Sequence, residues 1–234
     1  MKITIFVEMD VAHSDPNVLK AYPDGLSAAL ESLFPTDEVR TANVFMPDCG
    51  LSPEILADTD VLLWWAHCYH KDVPDHVSTW ITEAVHAGMG FVALHSAHMA
   101  KPFRALMGTS CCLRWRDDDR ERVWITDPGH PIAAGLPDCF EIELEEMYGE
   151  HFDIPTPENL VAIGWFAGGE VFRSVCTYTR GLGHVVYIQF GHETCPVYYN
   201  EYVRKMVYNA ANWVKPSYRK PAPVTCFNAQ PKEQ

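Results

Sequence analysis

Three short and largely apolar runs place the strongest constraint on how this chain can fold. They lie at residues 3–7, 61–66 and 90–94 and are rich in Val, Ile and Leu. Strands that are apolar on both faces are typical of parallel sheets covered by helices on both sides. Apolar residues at helical spacing follow at residues 24–34 and 74–87. The first half therefore predicts an α/β fold with a parallel sheet.

The second half has a different rhythm, with strand-like segments and little helix between them. These segments lie at residues 123–126, 140–145, 160–165 and 171–178. A hairpin turn at 179–183 leads into a last strand at 185–190 and a last helix at 198–213. We predict a mostly parallel central sheet with an antiparallel extension, in one domain over residues 1–214. Residues 215–234 contain four prolines and are expected to form an extended tail.

The charge balance restricts the partners of the protein. Eighteen basic residues against 31 acidic ones give a formal net charge of −13. Nucleic acids and anionic membranes would repel such a chain, so neither is expected as a partner. No apolar stretch approaches the ~20 residues of a membrane helix, and the first residues do not resemble a signal peptide. We expect a cytoplasmic protein; whether it forms a homo-oligomer stays open.

The eight cysteines are scattered, without a CxxC pair. In a reducing compartment such residues are small apolar fillers, so we expect free thiols. Cys68 and Cys195 each lie close to a histidine in the sequence, which leaves a cysteine-dependent hydrolase as a weaker alternative.

Histidines follow three of the predicted strands. His67 follows the run at 61–66, His95 follows the run at 90–94 and His192 lies shortly after the run at 185–190. Ligands of open parallel sheets bind outside the carboxyl ends of the strands. Glu146 breaks the alternation of its own strand, so its side chain is expected to point inward at that strand's end. The neighbouring Glu145 is expected on a solvated acidic face, together with Glu141 and Glu143.

We predict His95, His192 and Glu146 as the catalytic residues and as ligands of a metal ion. Two imidazoles and a carboxylate form the ligand set of a catalytic zinc site with one open position, which makes zinc the candidate cofactor. The same three groups could instead perform metal-free acid–base catalysis, because histidine titrates near neutral pH. Both interpretations remain open at the level of sequence.

Further residues are predicted to contact the substrate: Trp64, Trp65, His67, Ser96, Glu150 and Arg173. Successive strand residues face opposite ways, so one of the two indoles is expected in the core and the other in the cleft. His67 and Glu150 are also alternative metal ligands. Ser96 follows a strand and precedes a helix, as a nucleophile would, but lacks the flanking glycines of that turn.

Several common motifs are absent from the sequence. It has no GxGxxG, no GxxxxGK[ST] and no GxSxG, so dinucleotide binding, a P-loop and a serine-hydrolase elbow are not indicated.

The order of several short motifs resembles the ThuA-like trehalose-utilisation family. The motifs are Tyr22-Pro23-Asp24-Gly25, Leu63-Trp64-Trp65-Ala66-His67, Leu94-His95-Ser96, Gly129-His130-Pro131-Ile132, Glu146-Met147-Tyr148 and Gly191-His192-Glu193. The resemblance implies a flavodoxin-like three-layer sandwich, akin to class I glutamine amidotransferases. It also implies a role in the use of trehalose or related disaccharides.

Amidotransferase relatives carry a cysteine at the turn after the fourth strand, where this chain has His95-Ser96. Glutaminase activity is therefore not expected. Two main functions remain beside the weaker cysteine-dependent alternative. The first is an enzyme, such as a hydrolase, lyase or isomerase, that acts on a small carbohydrate or keto-sugar. The second is a non-catalytic sugar-binding or regulatory module.

Overall fold

The computed structural model describes residues 1–219 and 230–233, and its centre is a mixed sheet of nine strands. The strands are β1 Lys2–Val7, β2 Glu38–Ala42, β3 Val61–Trp65, β4 Gly90–Leu94, β5 Arg114–Ile125, β6 Cys139–Gly149, β7 Asn159–Phe166, β8 Val171–Arg180 and β9 Gly183–Ile188. Their order across the sheet is β2-β1-β3-β4-β9-β8-β7-β5-β6.

The sheet is parallel at one end and antiparallel at the other. Strands β2, β1, β3, β4 and β9 pair in parallel, and β9, β8, β7, β5 and β6 pair antiparallel. This confirms the predicted α/β fold with an antiparallel extension. The boundaries differ in places: β5 begins at Arg114, well before the predicted start at residue 123.

Helices cover both faces of the parallel part. They are α1 Pro16–Ala21, α2 Leu26–Glu31, α3 Pro53–Ala57, α4 Asp75–His86, α5 Lys101–Met107 and α6 Glu201–Val214. On one face, α2 and α6 pack against alternate residues of the strands, among them Leu63. On the other face, α3, α4 and α5 pack against the intervening residues, among them Leu62. Two apolar cores thus lie on either side of strands that are buried throughout.

The described residues also bear on three other expectations. Within them, no helix has both the length and the apolar composition needed to cross a bilayer. Seven cysteines lie in the described part of the chain and form no disulfide there, while Cys226 lies outside it. Most of the predicted tail also lies outside the described residues; at its start, Arg219 donates hydrogen bonds to the carbonyl oxygens of Leu56, Ala57 and Thr59.

The antiparallel part contains a buried acid, Glu121 of β5. Its side chain is fully buried, and Oε1 accepts a hydrogen bond from Ser174 Oγ at 3.1 Å. Oε2 has no hydrogen-bond partner within residues 1–219 and 230–233. Burial, together with the charge of Glu145, raises the pKa of Glu121 well above its usual value. A raised folded-state pKa means that Glu121 costs folding free energy once the pH exceeds the pKa of the unfolded chain.

We expect Glu121→Gln to stabilise the protein at pH 8, because the amide carries no charge to bury. The difference in melting temperature should shrink as the pH falls well below the unfolded-state pKa of about 4.3, where the wild-type acid is protonated in both states. Thermal unfolding at several pH values measures this, with exposed Glu143→Gln as the control. A variant that is less stable than wild type at pH 8 would contradict the account.

Candidate metal centre

Four side chains converge at the carboxyl edge of the parallel strands: His67, His95, Glu146 and His192. One ligand atom from each lies within 4.8 Å of every other. His67 and His95 follow β3 and β4, His192 lies beyond β9, and Glu146 lies on β6. The structure therefore brings together the three residues predicted as ligands and His67, which the sequence analysis named as an alternative ligand.

Each of the three imidazoles has an oxygen near its Nδ1 atom. His67 Nδ1 lies 2.6 Å from Glu193 Oε1, His95 Nδ1 lies 3.1 Å from the Gln189 carbonyl oxygen, and His192 Nδ1 lies 2.9 Å from Thr194 Oγ1. With the proton on Nδ1, the Nε2 lone pairs of His67 and His95 are free to bind a cation. His192 Nδ1 also accepts a hydrogen bond from the Thr194 N–H at 3.3 Å, so its proton would move to Nδ1 when Nε2 binds a cation. Metal-binding histidines usually have such a partner, which fixes the ring and its tautomer.

His95 occupies a strained turn directly after β4. Its φ is +56°, a left-handed conformation that costs a residue with a side chain about 1–2 kcal/mol. The ring is fully buried and stacks on Tyr148, with ring centroids 5.2 Å apart. Its Nε2 lies 3.2 Å from Glu146 Oε2. The surrounding contacts thus hold His95 in a backbone conformation that few residues adopt.

Two buried carboxylates hold the loops that carry His67 and His192. Glu8, directly after β1, accepts hydrogen bonds from the backbone N–H groups of His67, Cys68 and Tyr69 at 2.8–3.0 Å. Glu145 accepts hydrogen bonds from the N–H groups of Gly191 at 2.7 Å and His192 at 3.0 Å. Burial raises the pKa of both carboxyl groups, and these backbone hydrogen bonds oppose that rise.

A side chain cannot fit at Gly191, between β9 and the loop of His192. Its φ is +128°, and a Cβ atom there would lie 2.0 Å from the Tyr198 hydroxyl. Its carbonyl oxygen accepts a hydrogen bond from Trp65 Nε1 at 2.8 Å. The glycine therefore lets the chain turn tightly from β9 into the loop of His192.

His67 and Glu193 form an ion pair at the edge of the cluster. Burial alone would lower the pKa of His67, but the hydrogen bond to Glu193 and the charges of Glu193, Glu146 and Glu8 outweigh it and raise the pKa. Burial likewise opposes ionisation of Glu193, and His67 nevertheless lowers the pKa of that carboxyl to about 2. For His192 burial dominates and lowers the pKa, which favours the neutral ring that a metal ion requires.

The cluster has the charge and the free atoms that a cation needs. Glu146 Oε2 is buried without a hydrogen-bond partner among the described residues, although His95 Nε2 is near. Burial alone would raise the pKa of Glu146. The hydrogen bond and the charge of the neighbouring His95 outweigh burial, so the pKa is lowered and the carboxylate is charged. A divalent cation would satisfy the unpaired oxygen and offset this negative charge.

A cavity of about 360 Å³ opens beside the cluster. It is lined by His67, His70, Ser96, His98, Met99, Cys112, Leu113, Trp115, Glu146 and Tyr148. A ligand bound there would contact two members of the cluster directly.

Residues 17–214 match the family ThuA, whose description is trehalose utilisation. The chain belongs to the ThuA family. Among curated proteins, none matches its sequence.

Solved structures of low sequence identity share the fold of this ThuA-family chain. A ThuA-like protein from Bacteroides uniformis ATCC 8492 has a TM-score of 0.68 and 15% identity, with 92% of each chain covered. One from Parabacteroides merdae ATCC 43184 has a TM-score of 0.64 and 14% identity, covering 94% of this chain and 92% of the other. The cytoplasmic protein STM1381 from Salmonella typhimurium LT2 has a TM-score of 0.58 and 15% identity, covering 92% and 100%.

The two tryptophans do not lie where the sequence analysis expected. Both are buried, at 0% and 1% exposure, so the expectation of one indole in the cleft is wrong. Trp64 stacks on Phe6 at 3.8 Å between ring centroids, within one apolar core. Trp65 belongs to the other core and stacks near His95. The two rings do face opposite ways, but helices cover both faces of β3.

The other predicted contact residues fall into two groups. Ser96 lines the cavity, and its Oγ lies 2.6 Å from the Tyr148 hydroxyl. Glu150 and Arg173 form a two-point ion pair, at 2.8 and 3.0 Å, and belong neither to the cluster nor to the lining of the cavity. Glu150 thus neutralises the charge of Arg173. The structure does not place Glu150 among the four possible metal ligands.

The sequence analysis missed several important residues of the site and misplaced one. Glu145, expected in solvent, is fully buried and anchors the His192 loop. Glu8 and Glu193 were not singled out, although Glu8 follows a strand as the histidines do. The thiol alternative loses support, because burial raises the pKa of Cys68 to about 11 and of Cys195 to about 12. Neither thiol would be ionised at neutral pH.

The His67–Glu193 pair leads to a titration prediction. In metal-free protein, the pKa of His67 should lie above 6.5. Glu193→Gln should lower the pKa of His67, because it removes the carboxylate that counteracts the effect of burial. Histidine NMR titration measures this. Asp48→Asn, which removes the partner of exposed His76, is the control and should leave His67 unchanged. An unchanged His67 pKa in Glu193→Gln would show that the pair does not form in solution.

Proposed function

We propose that this protein is an enzyme that processes a sugar or keto-sugar at a zinc ion held by His67, His95, Glu146 and His192. The convergence of these four groups within 4.8 Å carries the proposal. Sugar as the substrate class is supported by the description of the family, trehalose utilisation.

The donor set fits zinc. Imidazole nitrogens and a carboxylate oxygen, without thiolate, suit zinc. Four protein ligands would complete a tetrahedral site, so a substrate oxygen would bind as a fifth ligand or replace one of the four. Glu193, Gln189 and Thr194 provide the outer contacts that hold the three imidazoles. A bound zinc ion would supply Lewis acidity at an oxygen of the substrate or of water.

The chain's own residues would position the substrate and move protons. Glu146 and His67 border both the cluster and the cavity, so a substrate oxygen entering from the cavity would meet these groups first. The Ser96–Tyr148 hydroxyl pair lies in the same cavity, with the Tyr148 hydroxyl 3.5 Å from His95 Nε2. When the Tyr148 hydroxyl donates to Ser96 Oγ, the Ser96 hydroxyl keeps its own proton to donate to a substrate oxygen.

We also propose that the fold is a flavodoxin-like three-layer sandwich and that the protein is cytoplasmic. The parallel order β2-β1-β3-β4-β9, with helices on both faces, supports the first. The name of the similar Salmonella typhimurium protein, which calls that protein cytoplasmic, supports the second.

A non-catalytic sugar-binding module is the second candidate. One observation favours it: His95, rather than a cysteine, occupies the strained turn after β4 where amidotransferase relatives carry their nucleophile. The two functions differ in turnover, because a module would bind a sugar and release it unchanged.

Metal content tests the proposed centre. Protein purified without chelator should hold about one zinc ion per chain, and His95→Ala and His192→Ala should each lose most of it. Both variants should keep the wild-type circular dichroism, because the apolar cores lie beneath the strand ends. His76→Ala, an exposed histidine away from the cluster, is the control and should keep its metal.

Two outcomes would change the account. If both variants keep the wild-type metal content, the metal lies elsewhere and the proposed centre is wrong. If the wild type holds no metal but loses turnover on either change, the same residues act by metal-free acid–base catalysis.

A further inference from the structure

We propose that His98 is a specificity-determining residue of the cavity beside the cluster, where its Nε2 atom accepts a hydrogen bond from an O–H or N–H group of the ligand. This inference rests on the proposed function for the substrate class and adds the residue that recognises one donor group of the substrate. It applies to neutral and anionic sugars alike, because a hydrogen-bond acceptor recognises a donor group and not the net charge of the ligand.

His98 is a buried histidine in the wall of the cavity, outside the group of four possible metal ligands. It lies in the turn after β4, three residues beyond His95, and is 6% exposed. Its ring meets Tyr148 edge to face, with centroids 5.5 Å apart, and meets Phe152 in the same way at 5.8 Å. Aromatic packing thus holds the His98 ring in one orientation beside the cavity.

One nitrogen of the His98 ring is paired with the backbone. Nδ1 lies 2.7 Å from the carbonyl oxygen of Cys111, which can only accept, so Nδ1 carries a proton. That carbonyl belongs to a fixed segment: the Cys111 N–H donates to the Asp153 carbonyl at 3.0 Å, and the Asp153 N–H donates to the Cys112 carbonyl at 2.9 Å. The backbone therefore sets the tautomer of His98.

The other nitrogen of the ring, Nε2, is free. The hydrogen bond to Cys111 is the one that the His98 ring makes within residues 1–219 and 230–233. Burial lowers the pKa of His98 to about 3, so the ring is neutral at physiological pH and Nε2 is an acceptor. Buried polar groups are nearly always hydrogen-bonded, so an unpaired acceptor in a cavity wall points to a donor group that enters the cavity.

A second histidine of the cavity wall also has an unpaired nitrogen. His70, on the loop after β3, lines the same cavity, and its Nδ1 is buried without a hydrogen-bond partner in the described part of the chain. Glu146 and His67 of the cluster line this cavity as well. One ligand can therefore contact the cluster with one of its oxygens and donate a hydrogen bond to His98 with another group.

Calorimetric titration with trehalose and its series of monodeoxy analogues tests this inference. His98→Asn keeps an N–H group near the position of Nδ1 for the Cys111 carbonyl and has no atom at the position of Nε2. His130→Asn is the matched control: His130 is also buried, does not line the cavity, and accepts a hydrogen bond from the Ile132 N–H, which asparagine can also accept.

The expected result is a shared loss of one hydrogen bond. His98→Asn should bind trehalose about tenfold more weakly than the wild type, which corresponds to about 1.4 kcal/mol, and His130→Asn should bind it as the wild type does. One monodeoxy analogue should bind the wild type about tenfold more weakly than trehalose, because it leaves Nε2 unpaired. In His98→Asn, that analogue and trehalose should bind equally, because the hydrogen bond is already absent.

The ring nitrogens of His98 offer a measurement that needs neither a ligand nor a variant. Long-range proton–nitrogen NMR correlations of the wild-type protein at neutral pH should show a neutral His98 ring with its proton on Nδ1. A proton on Nε2, alone or in addition, would leave no acceptor for the ligand and overturn the inference.

Zinc content, measured on every sample, separates this inference from the proposed function. Weaker trehalose binding in His98→Asn with its zinc retained supports the inference, whereas loss of zinc in that variant overturns it, because His98 would then act through the cluster. A zinc-containing wild type that does not bind trehalose, or whose preference among the analogues persists in His98→Asn, overturns the inference while the metal centre stands. Binding that depends on His98 in a protein without zinc supports the inference and removes the proposed zinc enzyme.

Discussion

The site depends on two buried carboxylates whose partners are backbone N–H groups. Glu8 holds the loop of His67, and Glu145 holds the loop of His192. A buried carboxylate without such partners would be costly, and so would a buried loop whose N–H groups had none. The carboxylates accept the hydrogen bonds that the loop N–H groups must donate. His67 and His192 therefore have fixed positions although they lie on loops.

The two parts of the sheet make different contributions to the cluster. The parallel strands deliver three histidines at one edge, because their carboxyl ends lie side by side. The antiparallel part returns beside β9 and brings Glu145, Glu146 and Tyr148 of β6 over that edge. The strained His95 lies between the two parts, in contact with Tyr148 from one and with Gln189 from the other.

The parallel sheet and the strand-end histidines could be predicted, because fully apolar strands and the residues that follow them are visible in a single sequence. The burial of Glu145 could not be predicted from the sequence. The register of β5 against β6 shifts between Arg116 and Glu121, so the alternation of β6 breaks and both Glu145 and Glu146 are buried. Such a bulge depends on the partner strand, which local alternation does not reveal. The two indoles were misplaced for a related reason: alternation gives the face of a strand but not what covers that face.

The central claim is that one ion is bound jointly by His67, His95, Glu146 and His192. The most direct measurement is a crystal structure of the protein grown with zinc, with anomalous diffraction recorded on both sides of the zinc absorption edge. The account predicts a single strong anomalous peak among the four side chains, about 2.0–2.2 Å from their nitrogen and oxygen ligand atoms. No peak at this position in crystals grown with zinc, or a zinc ion bound only by other residues, would contradict it.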